Sequence, residues 1–158
     1  MERILSNEDC KLVLNSIKDN KWERIDRYGK YDQTFININS IETKIKNYFG
    51  KELKEDPILK VLKFNKGDFI PTFSADYSNM EDEYFSRYKN TNFIIQIYLN
   101  SDFEGGRLTL KKQTFETPQS GFGIIQNKTD KCSISEITEK NCFMLFMFIS
   151  YIKLTSVL

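Results

Sequence analysis

The chain has 158 residues, 40% of them hydrophobic and 28% charged, which describes one globular domain with a buried core rather than a disordered chain. Lys+Arg of 23 against Asp+Glu of 22 leaves a net charge of +1, so no global field draws nucleic acid or an anionic membrane. Three cysteines without a CxxC pair, and no histidine anywhere, argue against a disulfide framework and a structural zinc site and favour a reducing, cytoplasmic setting.

The opening MERILSNEDC is charged from its second residue and lacks an apolar stretch, so no secretory signal is expected, and no apolar run reaches membrane-spanning length. Ser6 and Asp9 have capping-box spacing, with the acid one carbon shorter than usual. Cys10, Val13, Leu14 and Ile17 then share one helical face, which predicts a helix from about Asn7 to Lys18. Trp22–Ile25 and Gln33–Ile38 read as strands around a turn at Tyr28–Gly29. Ser40 is a candidate cap for a second helix carrying Ile41, Ile45 and Tyr48 on one side, with Gly50 as its stop.

From Ile58 onward the pattern is one of strands. ILKVLKF, NFIIQIYL, GRLTLKK, GFGIIQ, CSISEIT and the apolar run from Cys142 are broken by Gly, Asn, Asp and Pro. The aromatic share of 14% suits a β-rich interior. In CSISEIT the apolar Ile134 and Ile137 are three apart, which predicts a bulge. The run from Cys142 to Ile149 is apolar on both faces and belongs in the middle of a sheet. The expected architecture is α+β: a double-stranded β-helix (jelly roll) core over 58–154 behind a helical and strand lead-in over 1–57, together forming a single domain over 1–158.

Five segments, in order, carry a resemblance. LSNEDCKLVLNSIKDNKW is similar to the opening helix of the prolyl 4-hydroxylase-type oxygenases. FNKGDFIPTFS, with Phe64, Gly67, Phe69 and Pro71, resembles their aromatic-x-x-Gly-x-aromatic-x-Pro-His-x-Asp segment. SRYKNTNFIIQIYLN resembles their Arg…Thr…Tyr-Leu-Asn strand, and EGGRLTL their Gly-Gly turn. The region after Pro118 and Gly121 resembles their closing strands. The family uses iron(II), held by two imidazoles and one carboxylate, together with 2-oxoglutarate.

Carried over residue by residue, the resemblance puts the iron-ligand pair at Thr72 and Ser74 and the second histidine at Cys132, or at Ser133 by a one-residue shift. Hydroxyls do not replace ionised ligands at neutral pH. Asp76 lies two residues past the carboxylate's place. The cation that grips 2-oxoglutarate falls on Asn141 or Cys142, both uncharged, with Lys140 just ahead of the strand, and Tyr98 matches a tyrosine that supports the same carboxylate. The resemblance therefore implies a stripped scaffold with no metal, no cofactor and no catalytic residue, which acts by binding protein. Met80, Tyr84, Phe85, Arg87 and Tyr88, in MEDEYFSRY, occupy the place of the loop that borders the hydroxylase substrate and are candidates for partner recognition or for a solvated connection. Large DNA viruses, including poxviruses, encode compact proteins that resemble such a domain, and some of them engage host oxygen-sensing prolyl hydroxylases. A host prolyl hydroxylase, met in the host cytoplasm, is thus the expected partner. Two further readings are an active hydroxylase using Asp76 and Cys132, and a small-molecule sensor using Tyr98, Thr72 and Ser74.

Overall fold

A computed structural model describes residues 1–49, 53, 56–116 and 119–151. Strand β1 (Glu2–Arg3) precedes helix α1 (Asn7–Ser16), strands β2 (Glu23–Ile25) and β3 (Tyr31–Ile36) and helix α2 (Asn39–Phe49). Next come β4 (Ile58–Phe64), β5 (Ile70–Ser74), a 3-10 turn at Glu83–Tyr88 and β6 (Phe93–Tyr98). Strands β7 (Glu104–Gly105), β8 (Leu108–Leu110), β9 (Gln113–Thr114) and β10 (Phe122–Asn127) follow. Last are β11 (Lys131–Ile134), β12 (Ile137–Glu139) and β13 (Cys142–Ile149).

The main sheet runs β1-β10-β6-β13-β4-β3-β2, and a smaller one runs β5-β11-β8-β9. From β4 onward the chain crosses repeatedly between the two sheets: β4 large, β5 small, β6 large, β8 and β9 small, β10 large, β11 small, β13 large. That alternation, with antiparallel pairing throughout, is a double-stranded β-helix. The pair β7–β12 closes one end. There Gly105 has a φ of 81°, and a Cβ would collide with the Glu136 carbonyl oxygen, so glycine is required.

Period-two alternation gives the main sheet two different faces. One face, with Leu59, Val61, Ile95, Ile97, Leu145 and Met147, packs under the two helices. The other, with Leu62, Phe64, Ile94, Tyr98, Met144 and Phe148, meets Ile70, Leu108, Cys132 and Ile134 of the small sheet. β13 lies between β6 and β4, as its two-sided apolar run predicts.

Helix α1 has the predicted cap. Ser6 Oγ accepts from the Asp9 backbone N–H and Asp9 Oδ2 from the Ser6 N–H, both at 3.1 Å. Cys10, Val13 and Ile17 are buried and Leu14 half-buried. Helix α2 differs from expectation at both checkable points. It starts at Asn39, so Ser40 lies inside it, and the Ile41 and Glu42 N–H groups are taken by the Ile38 carbonyl. Ile41 and Ile45 are buried, whereas Tyr48 is exposed, since it sits three residues past Ile45 at the rim of the stripe. Gly50 lies outside the described residues. β3 begins two residues earlier than its apolar run, because Tyr31 is an inward residue. CSISEIT is two strands rather than one: the chain leaves β11 after Ile134 and enters β12 at Ile137, where the spacing had predicted a bulge, and the register shift against β5 falls earlier, between Cys132 and Ile134.

Candidate functional site

The interior of the barrel has two unlike halves. In the closed half, Gln96 of β6 and Gln126 of β10 both point inward and are fully buried. Gln96 Nε2 donates to Gln126 Oε1 at 2.8 Å and to Cys132 Sγ at 3.6 Å. Gln126 Nε2 donates in turn to the carbonyls of Phe73 at 3.2 Å and Asp130 at 2.9 Å. Every polar group of this pair is thus satisfied by neutral partners, as a buried amide requires. Burial pushes the Cys132 thiol up to about 12, so it stays protonated at neutral pH. Tyr98 donates to the Gly106 carbonyl at 2.6 Å and stacks on Phe103. Its register partner is Met144. Cys142 opposes Phe64 and is fully buried, with its thiol raised well above the usual range by desolvation.

Thr72 and Ser74 do not point together into this half. Pairing sets Phe73 opposite Cys132 and Ile70 opposite Ile134, so Ile70 and Phe73 face the core, followed by fully buried Ala75. Thr72 is exposed and Ser74 half-buried. The β5 residue opposite Cys132 is consequently Phe73, with Thr72 and Ser74 to either side of it. Ser133 is half-buried on the opposite side of its strand from Cys132. Asp76 accepts from the Ser78 N–H at 3.1 Å and the Ser78 hydroxyl at 2.6 Å, and lies 3.7 Å from Lys128 Nζ. Asn141 is exposed, and so is Lys140, which turns the chain with a φ of 60°. Tyr98, Cys132 and Cys142 are drawn into the same core, together with Phe85 and Tyr88 of the candidate recognition segment, whereas Thr72 and Asn141 are exposed.

The open half is a cavity of about 330 Å³ lined chiefly by aromatic rings of β3, β13 and the 3-10 turn, with Lys60 in its wall. Thr72, Ser74, Met80, Tyr84, Phe85 and Tyr88 all border it. The MEDEYFSRY segment is therefore a cover over the barrel. Phe85 and Tyr88 are buried under it; of the five recognition candidates Met80 and Arg87 are exposed, and Arg87 lies over the Phe35 ring at 4.6 Å. Asp82 anchors the cover. It caps the turn at the Tyr84 N–H (3.0 Å), accepts from the Tyr28 hydroxyl (2.7 Å) and pairs with Arg27 (2.9 Å).

Lys60 is the residue that the sequence-based reading passed over. It is only 3% exposed, on a strand whose neighbours on the same face are Ile58, Leu62 and Phe64. Its Nζ donates to Gln33 Oε1 at 2.9 Å and to the Tyr88 hydroxyl at 3.1 Å. The ring centroids of Tyr31, Tyr84, Tyr88 and Phe148 stand 5.0–5.7 Å away. Burial, with a smaller push from Arg87 and a small opposing pull from Glu23, brings its ammonium down to about 7. The available signal was a pair of lysines three apart on a strand apolar at all its other positions, of which one must point inward.

An iron(II) centre of the facial-triad kind needs two imidazoles and a carboxylate on one side of the metal. The residues present do not fit it. Phe73 and Ala75 carry no donor, Cys132 is a protonated thiol bonded to Gln96, and among the described residues no three cysteine, aspartate or glutamate side chains converge.

The strand alternation makes the chain a double-stranded β-helix of the kind found in the 2-oxoglutarate–iron(II) oxygenases. Within that class, the likeness is to prolyl hydroxylases. The fold superposes on a Pseudomonas putida prolyl-4-hydroxylase with a TM-score of 0.71 at 11% identity, covering 96% of this chain and 91% of that one. For the viral collagen prolyl hydroxylase of Paramecium bursaria Chlorella virus-1, the TM-score is 0.70 at 14% identity over 96% and 94%. A 2-oxoglutarate–iron(II) oxygenase-family protein from Burkholderia pseudomallei gives 0.60 at 13% identity over 89% and 78%. At such identities the likeness carries the fold and nothing finer. No family model and no curated protein matches the sequence.

Proposed function

We propose that this domain is a catalytically inactive prolyl-hydroxylase-like scaffold that works by binding another protein. The observation that supports the reading is that Cys132, which the resemblance puts at a ligand position, is a protonated thiol bonded to Gln96, itself paired with Gln126. A fold persists when its site chemistry is lost, and a stripped site on an intact scaffold argues for a different use. The resemblance puts Asn141 or Cys142 where the family's cation grips 2-oxoglutarate, and neither side chain supplies a positive charge, Cys142 being buried. The partner we propose is an oxygen-sensing prolyl hydroxylase of a host cell, with the domain as a viral modulator of the hypoxia response. That proposal rests on the family analogy, and the exposed Met80 and Arg87 on the cover are the first residues to test for it.

The other reading, an active hydroxylase with unusual ligands, needs Asp76 and Cys132 to share a metal. Asp76 is engaged with Ser78 and Lys128, and Cys132 with Gln96. Calorimetric titration with iron(II) or manganese(II), then 2-oxoglutarate, decides between the two. We expect no saturable heat in either step, and stoichiometric metal binding with 2-oxoglutarate turnover would overturn the inactive reading. Capture of a prolyl hydroxylase on the immobilised domain, weakened by Arg87→Glu, is the result expected for the partner. Failure of that capture removes the partner and leaves the inactive scaffold standing.

A further inference from the structure

Among the described residues no carboxylate touches the Lys60 ammonium. The ammonium offers three donors, and only Gln33 and Tyr88 accept from it among the described residues. Glu23 reaches it only through Gln33, whose Nε2 donates to Glu23 Oε1 at 2.9 Å. The remaining groups facing it are the neutral tyrosines 31, 84 and 88 and the cation Arg87, which repels it. A buried amine with a spare N–H, an apolar cavity beside it and no carboxylate in contact with it among the described residues suits an anion.

The size and walls narrow the ligand class. A cavity of 150 Å³ accepts benzene, so about 330 Å³ holds a single ring with a short substituent. Tyr28, Tyr77, Phe85 and Phe146 supply flat apolar walls. With one ammonium and a few hydroxyls inside, a monoanion can be satisfied, whereas a phosphate dianion would be left short of donors. Arg27, Thr72 and Met80, all exposed, form the rim through which a ligand would enter.

We propose that the cavity over Lys60 binds a small aromatic monocarboxylate, with the carboxylate on the Lys60 ammonium and the ring among the tyrosines and phenylalanines. This site stands apart from the protein-binding reading and holds whether or not that reading does. Because the free amine is brought down to about 7, an anion that requires the ammonium must bring a proton with it above that pH. Affinity for the acid then falls about tenfold per pH unit once the free amine has deprotonated.

The test is calorimetry on the full chain with benzoate and phenylacetate, each beside its neutral primary amide. The expected result at pH 6.5 is an acid bound at least tenfold tighter than its amide, with an advantage that shrinks between pH 7.5 and 8.5 and with buffer-dependent heats that report proton uptake. In Lys60→Met the acid and amide should bind alike. Equal binding of acid and amide to the wild-type protein, or no saturable heat from either acid, overturns the proposal. So does an acid preference that survives Lys60→Met. Should Lys60→Met not fold, the acid–amide ratio and its pH dependence in the wild-type protein decide alone.

Discussion

Lys60 and Lys63 show how far a single residue can be read from sequence. They lie three apart on one strand and so face opposite sides. Lys63 lies over the Trp22 and Phe143 rings on the outer side, while Lys60 is sealed inside. Alternation in ILKVLKF shows that one of the two must point inward but not which, because both faces of the strand are apolar. The consequence for stability has a definite sign. The folded-state pKa of Lys60, about 7, lies below its ordinary value of 10.5, so the unfolded chain binds more protons between those limits and stability rises with pH across them. The slope approaches ~1.4 kcal/mol per pH unit for one proton. Buried thiols act oppositely from about pH 9, where unfolding lets Cys10 and Cys132 ionise. Denaturant unfolding at pH 7.5 and 8.5 should therefore show a rise for the wild-type protein that is absent in Lys60→Met. The variant should be no less stable at pH 7, since an apolar side chain of similar volume replaces an uncompensated buried amine. A variant that keeps the rise would assign it to another group.

At the scale of the element, α1 and the long strands were legible because their periodicities are strong: Cys10, Val13 and Ile17 on the helix, and apolar runs on β4, β6 and β13. Strand β5 was visible only through its resemblance to a motif, since Pro71 and exposed Thr72 interrupt any alternation. β7 and β9, of two residues each, are too short to carry a period. The placing of Phe73, not Thr72, opposite Cys132 has the same origin. The shift between Cys132 and Ile134 moves the inward residue on β5 from Thr72 to Phe73, and a bulge depends on the partner strand as well as on its own sequence. The cap of α1 has a tertiary role that its spacing could not show. Asp9 also accepts both contacts from Lys44 of α2, at 2.6 and 2.7 Å, tying the helices together. Burial raises that carboxyl, but Lys44 and Ser6 outweigh it and hold it below the usual value, so its contribution is present above that range and lost as pH falls through it. Ser6→Ala should cost ~1 kcal/mol in denaturant unfolding, from one orphaned N–H at a helix start. A loss within a few tenths would mean that water replaces the hydroxyl.

Across the whole molecule, the fold class was accessible from sequence because strand order and turn residues are set locally, and five weak motifs in order restrict the topology more than any one does. The cavity was not accessible. It is assembled from rings on β3, β13 and the cover, segments far apart in the chain, and only the closed barrel brings them together. Among the described residues no helix is long and apolar enough to cross a membrane. The three cysteines, each buried and unpaired, turn the same layered build into a set of internal clocks. Cys10 sits between α1 and the main sheet, while Cys132 and Cys142 lie inside the barrel. A thiol reagent can reach the first by lifting a helix and the other two only by opening the β-helix itself. Time-resolved mass spectrometry under native conditions should therefore show a single adduct, on Cys10, well before the second and third, which should appear together. Simultaneous labelling of all three would mean that helices and barrel part in one event, and the lag between the first adduct and the rest measures how firmly the helical layer is joined to the barrel it covers.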